Sequence, residues 1–157
     1  MCEKYGYKKL ISYTTRPQRN IESDKTSHRF IKKEDINQLK DIVAFTEFND
    51  NIYCATQEQV DEADFYIIDC AGVKCLKELY NGKKEIVVVY ISVPEVDRFL
   101  RMKKRDGTIK AMERIKHDKK VFTEAESMAD YIISNCNRDT SDAVEKLSDI
   151  VKGVFNE

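Results

Sequence analysis

Two arginines three residues apart flank a proline near the start of the chain, in the segment Ser12-Tyr13-Thr14-Thr15-Arg16-Pro17-Gln18-Arg19. The guanidinium group of arginine is a planar fork of donors that binds phosphate oxygens in pairs, and the hydroxyls add neutral donors. Pro17 restricts the loop and lowers the entropy cost of holding that fork in place. Two arginines alone are more typical of a solvated basic loop, so a phosphate site is a hypothesis that needs support from the rest of the chain.

A second group of arginines has helical spacing. Arg98, Arg101 and Arg105 follow the i, i+3, i+7 pattern that puts side chains on one face of a helix, and Arg114 follows on the next predicted helix. Several arginines closing on phosphates is what phosphoryl transfer needs, because that chemistry depends on positioning and electrostatics. The other interpretation is a solvated basic face, since lysines lie in the same segment.

Asp69 ends a short apolar run that begins at Phe65. If that run is a parallel strand, its carboxyl end is where α/β sheets place ligand chemistry. A carboxylate there would hold magnesium through water between two nucleotides. The alternative is that Asp69 caps the helix that follows.

The elements that must position these side chains alternate between strands and helices. The clearest buried strand is predicted over 85–91, because it is continuous and β-branched as parallel strands tend to be. The strongest amphipathic helix is predicted over 140–155. The other predictions are strands over 8–14, 65–69 and 131–134 and helices over 33–41, 95–104 and 109–122. We therefore expect a three-layer α/β/α fold with a parallel central sheet.

A predicted hairpin over 43–55 interrupts this alternation and suggests a small inserted subdomain. Thr56 and Gln59 have the spacing of a capping box that opens a short helix directly after the hairpin. Ser92 and Glu95 have the same spacing at the predicted start of the arginine-bearing helix.

Composition argues against several classes of function. A formal charge of −1, from 27 basic and 28 acidic residues, gives no overall field that attracts nucleic acid or membranes. No apolar run approaches the ~20 residues of a membrane span. The five cysteines are scattered without a C-x-x-C motif, which fits reduced thiols better than disulfides or zinc. We therefore expect one cytoplasmic domain over residues 1–157, with no nucleic-acid or membrane partner.

Together these motifs resemble the guanylate kinase family of P-loop nucleoside monophosphate kinases. The resemblance rests on the Ser-x-Thr-Thr-Arg-x-x-Arg pattern from Ser12 to Arg19, a hairpin ending in Tyr53, an apolar run ending in Asp69, an arginine-bearing helix and a strand before Asn135. It spans essentially the whole chain. It implies phosphoryl transfer from ATP, with Mg²⁺, to a nucleoside or deoxynucleoside monophosphate.

The resemblance also implies an acceptor-binding subdomain over about residues 20–56. In the family, the counterparts of Ser12, Arg16, Arg19 and Tyr53 hold the phosphate of the acceptor. His28 stands where the family usually has another phosphate-contacting residue, a tyrosine. An imidazole donates to phosphate when it carries the proton there, but an exposed turn histidine is an equally good interpretation.

A lid is implied over about residues 98–120. Arg101, Arg105 and Arg114 correspond to the lid arginines that cover the donor phosphates during transfer. Asn135 matches a position near the adenine of the donor, which makes it the residue assigned to cofactor binding.

The positions that read guanine depart from the family pattern. The family glutamate falls on Ala44, a serine or threonine falls on Ala55, and the first carboxylate of an Asp-x-Asp motif falls on Ile67, whereas Asp69 keeps the second. Sites that discriminate by hydrogen bonding need polar partners, and alanine offers none. Glu47 is a hypothetical substitute for the missing glutamate. The identity of the acceptor therefore stays open, and a ribosyl phosphate is an alternative to a nucleotide.

The sequence contains no G-x-x-x-x-G-K-[ST] motif, whose backbone amides would cradle phosphates. We expect the first strand and P-loop of the family to be absent from these residues, which should transfer phosphate poorly or not at all. Two explanations stay open. The loop precedes Met1 in a longer protein, or the chain is a non-catalytic relative that binds nucleotide or another protein. A sheet lacking that strand would expose an edge, which often leads either to dimerisation, here as a homodimer, or to disorder.

Overall fold

The fold is given by a computed structural model that describes residues 1–18, 28–136 and 140–155, with the backbone alone at Phe155. The chain forms two compact units: an N-terminal unit of residues 2–86, and a C-terminal unit of residues 87–157 that also includes Met1. Among the described helices, none combines the length and the apolar character that crossing a membrane requires.

The N-terminal unit is built on a four-stranded sheet with the order β2-β1-β4-β3. Its strands are β1 (Tyr13–Thr14), β2 (Arg29–Phe30), β3 (Ile42–Phe48) and β4 (Asn51–Thr56). β1 pairs in parallel with β2 and antiparallel with β4, which forms an antiparallel hairpin with β3. Its helices are α1 (Cys2–Tyr5), a 3-10 helix (Lys33–Gln38), α2 (Gln57–Glu62) and α3 (Cys70–Leu79).

The predicted hairpin is confirmed, and its turn has the residues that such a turn needs. Asn49 and Asp50 have φ values of 49° and 59°, in the left-handed region that these two residue types tolerate best after glycine. The predicted capping box after the hairpin is confirmed too. The backbone N–H of Gln59 donates to Thr56 Oγ1 over 3.4 Å, and the N–H of Thr56 donates to Gln59 Oε1 over 3.0 Å.

The core of this unit lies between one face of the hairpin and α3. Its buried residues are Leu10, Val43, Ala44, Ala55, Val60 and Leu76. Tyr66 and Ile68 pack against them and cover the cluster from the segment before α3. A second buried cluster, of Ile36, Ile52 and Cys54, lies against the 3-10 helix.

Cys54 is fully buried in that second cluster, and burial raises the pKa of its thiol to about 11. Because the thiolate is the reactive form of cysteine, we expect Cys54 to resist iodoacetamide at pH 8 until the protein is denatured. The exposed Cys136 is the matched control and should be alkylated in both states. Mass-spectrometric mapping of the adducts measures both sites, and equal labelling of the two in the folded protein would contradict the prediction.

Three predicted segments of the N-terminal unit differ from the structure. The strand over 8–14 is reduced to β1 and an isolated bridge between Lys9 and Phe65, and the run over 65–69 forms no strand beyond that bridge. Tyr66 and Ile68 pack into the core instead, which explains why this run is apolar. The helix predicted over 33–41 is instead a shorter 3-10 helix, Lys33–Gln38, because the backbone becomes extended at Leu39.

The C-terminal unit contains a two-stranded parallel sheet of β5 (Val89–Ser92) and β6 (Tyr131–Ser134). Its helices are α4 (Glu95–Asp106), α5 (Thr108–Val121), α6 (Ala125–Met128) and α7 (Ser141–Phe155). α4 and α5 pack against each other and are joined by Gly107, whose φ of 86° favours glycine. The strand predicted over 131–134 is confirmed as β6, and the helices predicted over 95–104, 109–122 and 140–155 are confirmed as α4, α5 and α7.

The α/β character of the chain is confirmed, but the predicted continuous parallel sheet is not what the described residues form. They form two sheets, and the larger one contains an antiparallel hairpin. The strand predicted over 85–91 begins only at Val89, because the backbone of Val88 is hydrogen-bonded to Asp130. The second predicted capping box is wrong: Pro94 occupies the N-cap of α4, and no side chain caps that helix.

Candidate functional site

The chain leaves β1 in a loop that hydrogen bonds hold in place. The backbone N–H of Thr15 donates to the carbonyl of Ile52 over 3.0 Å, and the N–H of Ile52 donates to Thr15 Oγ1 over 2.9 Å. The next N–H, that of Arg16, donates to the hydroxyl of the buried Thr14 over 3.2 Å. The guanidinium of Arg16 also donates to the carbonyl of Pro17 over 2.9 Å. These bonds fix the main chain from which the Arg16 side chain extends.

Five side chains gather beside this loop, and we call them the Arg16 cluster: Ser12, Arg16, His28, Phe30 and Tyr53. Ser12 Oγ and His28 Nδ1 are 3.1 Å apart, in a hydrogen bond whose donor depends on the imidazole tautomer. The His28 ring packs edge-on against Tyr53 and Phe30, with centroid distances of 5.7 and 6.1 Å. The guanidinium carbon of Arg16 lies 5.5 Å from the Phe30 ring centroid, a cation–π contact.

The strand register explains why residues distant in sequence meet here. Thr14 pairs with Phe30 on one side and with Tyr53 on the other, and Tyr53 pairs in turn with Thr46. Directly paired residues lie on the same face of a sheet, so these side chains form one row across four strands. A guanidinium, hydroxyls and an imidazole on one face are the donors that a phosphate group accepts from.

Asp69 lies next to that row, at the N-terminus of α3. Its Oδ1 accepts a hydrogen bond from the N–H of Gly72 over 2.9 Å and another from Thr46 Oγ1 over 2.7 Å. Of the two interpretations that the sequence left open, the capping role is therefore observed. Ile67, two residues earlier, is 82% exposed and contributes nothing to the core.

The other two positions that read guanine in the family lie inside the protein core. Ala44 and Ala55 are paired across the hairpin and are 1% and 0% exposed. Glu47 pairs with Ile52, whereas Thr46 next to it pairs with Tyr53. Since successive residues of a strand point to opposite faces, Glu47 lies on the face away from Tyr53 and does not substitute for the family glutamate.

The predicted lid arginines lie on α4 and α5 of the C-terminal unit. Arg101 and Arg105 are exposed, and the Arg105 guanidinium donates to Asp106 Oδ2 over 2.8 and 2.6 Å. Arg114 forms an ion pair within α5, with its Nε 2.9 Å from Oδ1 of the buried Asp118. All three arginines therefore lie on α4 and α5, and their role in a lid stays a prediction.

The two remaining predicted site residues have different outcomes. Asn135 directly follows β6, and its backbone N–H donates to the carbonyl of Ser92 over 2.8 Å, which ties the end of this strand to β5. Arg19, the second arginine of the phosphate-binding segment, lies outside the described residues, so its role stays a prediction.

Sequence reasoning missed two residues of this site. Phe30 contacts both Arg16 and His28, and Thr46 binds Asp69. Both contacts join segments far apart in the chain, so no local motif marks them. The one available signal was the alternation within β3, which puts Thr46 on the same face as Ala44.

Comparison with known proteins gives consistent results. The family model described as guanylate kinase matches residues 2–154. The guanylate kinase of Aliivibrio fischeri is 26% identical over an alignment of 146 residues, and the match covers 87% of this chain and 70% of that protein. The guanylate kinase of Syntrophotalea carbinolica is 29% identical over an alignment of 150 residues, and the match covers 90% of this chain and 70% of that protein.

A solved structure shares the fold. The crystal structure of guanylate kinase from Anaplasma phagocytophilum superposes with a TM-score of 0.67 at 21% identity, covering 92% of this chain and 74% of the other. Because the family model matches nearly every residue, the chain belongs to the guanylate kinase family.

Proposed function

We propose that this chain forms the acceptor site and the lid of a nucleoside monophosphate kinase of the guanylate kinase type, which transfers the γ-phosphate of ATP to a nucleoside or deoxynucleoside monophosphate. The observation that carries the proposal is the Arg16 cluster, in which Ser12, Arg16, His28 and Tyr53 meet on one face of a sheet. These are side chains that the family resemblance assigns to the acceptor phosphate.

In this proposal the acceptor phosphate binds to the Arg16 guanidinium and accepts further hydrogen bonds from the Tyr53 hydroxyl and the His28 ring. Arginine is suited to this role because it stays charged and binds two phosphate oxygens at once. The stacking of Arg16 on Phe30 restricts the guanidinium before the ligand arrives, which lowers the entropy cost of binding. Arg19 would add a second guanidinium to the same phosphate.

The lid arginines Arg101, Arg105 and Arg114 would bind the phosphates of ATP, and Asn135 would lie near its adenine. Guanidinium groups on α4 and α5, of which those of Arg101 and Arg105 are exposed, fit a polyphosphate, because transfer requires neutralisation of charge spread over several oxygens. Mg²⁺ would accompany ATP and would supply positive charge that offsets the charge of the phosphates. Magnesium keeps several waters and needs few protein ligands, and Asp69 Oδ1 is already occupied by two hydrogen bonds. We therefore assign the metal to phosphates and water.

A specific feature favours a second candidate for the residues as they stand. The sequence has no G-x-x-x-x-G-K-[ST] motif, so these 157 residues supply no such loop for the donor phosphates. We expect them to bind an acceptor monophosphate without turning it over. They would then act as a nucleotide-binding module unless a P-loop is supplied by further residues of the protein.

Calorimetric titration of the 157-residue protein with GMP, AMP, CMP, dTMP and ribose 5-phosphate tests the binding half of this proposal. We expect saturable binding of at least one monophosphate, and no binding of the corresponding nucleoside at equal concentration, because the phosphate carries the contacts. A coupled assay for ADP release with ATP and Mg²⁺ should show no turnover. Failure of every phosphate to bind would refute the acceptor site, and steady ADP release dependent on the acceptor would refute the expected inactivity.

A further inference from the structure

An open groove runs between α4 and α5 in the C-terminal unit, and none of the residues that line it is among the predicted site residues. Its volume is about 460 Å³, which is in the range of ligand sites. The half-buried Phe99 and Ile115 line it together with Val96 and Met112, which are 68% and 60% exposed. Large apolar side chains that share an exposed concave surface are typical of sites of association.

The periodicity of the two helices extends this apolar surface along the groove. On α4, Val96 and Phe99 are three residues apart, and Lys103 follows on the same face one turn later. On α5, the lining residues begin at Met112 and end at Lys119, seven residues later. A stripe of this length measures about 10 Å, so a helix of about three turns would cover it. Such a helix inserts apolar side chains at positions i, i+3 or i+4, and i+7.

The charges around the groove are mainly positive. α4 and α5 together carry ten basic and five acidic side chains, whereas the whole chain has a formal charge of −1. Lys119 pairs across the two helices with Glu95, with 3.0 Å between Nζ and Oε2. Lys103 and Lys116 are exposed, and neither forms an ion pair with any residue that the structure describes. Carboxylates of a partner would therefore complement these two lysines.

We propose that the groove between α4 and α5 binds an acidic amphipathic helix of another protein. Apolar side chains on one face of that helix fill the groove, and carboxylates beside them pair with Lys103 and Lys116. The inference goes beyond the proposed function and does not depend on it, because no residue of the acceptor site takes part.

Charge and shape favour this partner over a second copy of the chain and over a membrane. Two copies that met through α4 and α5 would bring like charges together, which costs free energy. Helices that lie on a membrane immerse an exposed apolar face in the lipid. Here Phe99 and Ile115 lie half-buried between two helices, where an inserted side chain contacts them better than a lipid surface does.

Fluorescence anisotropy with three labelled synthetic peptides tests the proposal. The first has about 18 residues of alanine and glutamate, with leucine at helical spacing along one face. The second has the same composition in an order that scatters the leucines, and the third has lysine in place of glutamate. We expect the 157-residue protein to bind the first peptide saturably and at least about ten-fold more tightly than either control.

Variants of α5 test whether the groove is the site. Met112→Glu puts a charge into the apolar groove and should weaken binding of the first peptide about ten-fold, and Lys116→Glu should weaken it about five-fold. Lys110→Glu is the matched control, because Lys110 lies two residues before Met112 and so faces away from the groove. It makes the same charge change as Lys116→Glu and should leave affinity within about two-fold. Circular dichroism checks that all three variants are folded.

Several results would overturn the proposal. Failure of the first peptide to bind, equal binding of its scattered form, or equal losses in Lys116→Glu and Lys110→Glu would show that the groove does not select such a helix. Sedimentation velocity and flotation with vesicles of phosphatidylserine and phosphatidylcholine test the other occupants. Self-association or vesicle binding that Met112→Glu abolishes would assign the groove to a second copy or to a membrane instead.

Discussion

Replacing Arg16 with alanine is expected to weaken the binding of every monophosphate by about 1.5–3 kcal/mol, the cost of losing a charge-assisted hydrogen bond. That range corresponds to roughly a 10- to 150-fold rise in Kd. The effect should be the same for all bases and for ribose 5-phosphate, because Arg16 lies at the phosphate end of the proposed site. Calorimetric titration of the folded variant measures it.

Arg29→Ala is a matched control for this experiment. Arg29 is in β2, one residue before Phe30, and its guanidinium lies over the Tyr13 ring and donates to the Tyr13 hydroxyl over 3.1 Å. Alternation along the strand puts it on the opposite face of the sheet from Phe30 and the Arg16 cluster. The control removes the same charge and should leave affinity within about two-fold, since an exposed charge at this distance is screened by salt. Equal losses in both variants would show that net charge, and not a contact, attracts the ligand.

The features predicted correctly from sequence are those that local rules determine. The hairpin has an Asn-Asp turn, the start of α2 has a capping box with both hydrogen bonds, and α7 has strong periodicity. In each case the residues that determine the structure lie within a few positions of one another. Propensity and capping therefore suffice to locate these elements, to within one or two residues.

The pairing of strands was not predictable in the same way. The run before Asp69 is apolar because it covers the core cluster, and an apolar run is equally compatible with a buried strand. β1 and β2 have only two residues each, and they pair because the backbone N–H of Arg29 reaches the carbonyl of Ser12. The two residues are 17 positions apart in the chain, and no pattern within either segment predicts a bond between them.

In the candidate site, too, some features follow from residue type and others only from long-range packing. Ser12, Arg16, His28 and Tyr53 were chosen because their types match a family pattern, and the structure brings them together within the N-terminal unit. The role of Phe30 arises only from its register opposite Thr14, and that of Thr46 only from its position next to α3. Residue types can indicate a chemistry. The residues that each of them contacts depend on strand register, which long-range packing determines.

The integrity of this register depends on the core beneath it, and Leu76→Ala tests that dependence. Leu76 is 4% exposed and packs with the paired Ala44 and Ala55. Truncating it removes buried methyl groups and leaves a cavity, which costs about 2–5 kcal/mol in the free energy of unfolding. We expect a value in the upper part of that range, because alanine neighbours have no side-chain freedom with which to fill the space. Urea denaturation followed by circular dichroism measures the loss.

Leu79→Ala, one turn later on the same helix, is the matched control. Leu79 is 49% exposed at the end of α3, so the same truncation removes little buried surface and should cost less than about 0.5 kcal/mol. If Leu76→Ala loses much more unfolding free energy than Leu79→Ala, the buried contact between α3 and the hairpin stabilises the protein. Comparable losses would mean that residues other than Leu76 pack α3 against the hairpin, and that Leu76 does not stabilise the buried pair of Ala44 and Ala55. The row of side chains from Phe30 to Thr46 would then lack the rigid support that a binding site requires, because a residue discriminates ligands only when its own position is fixed.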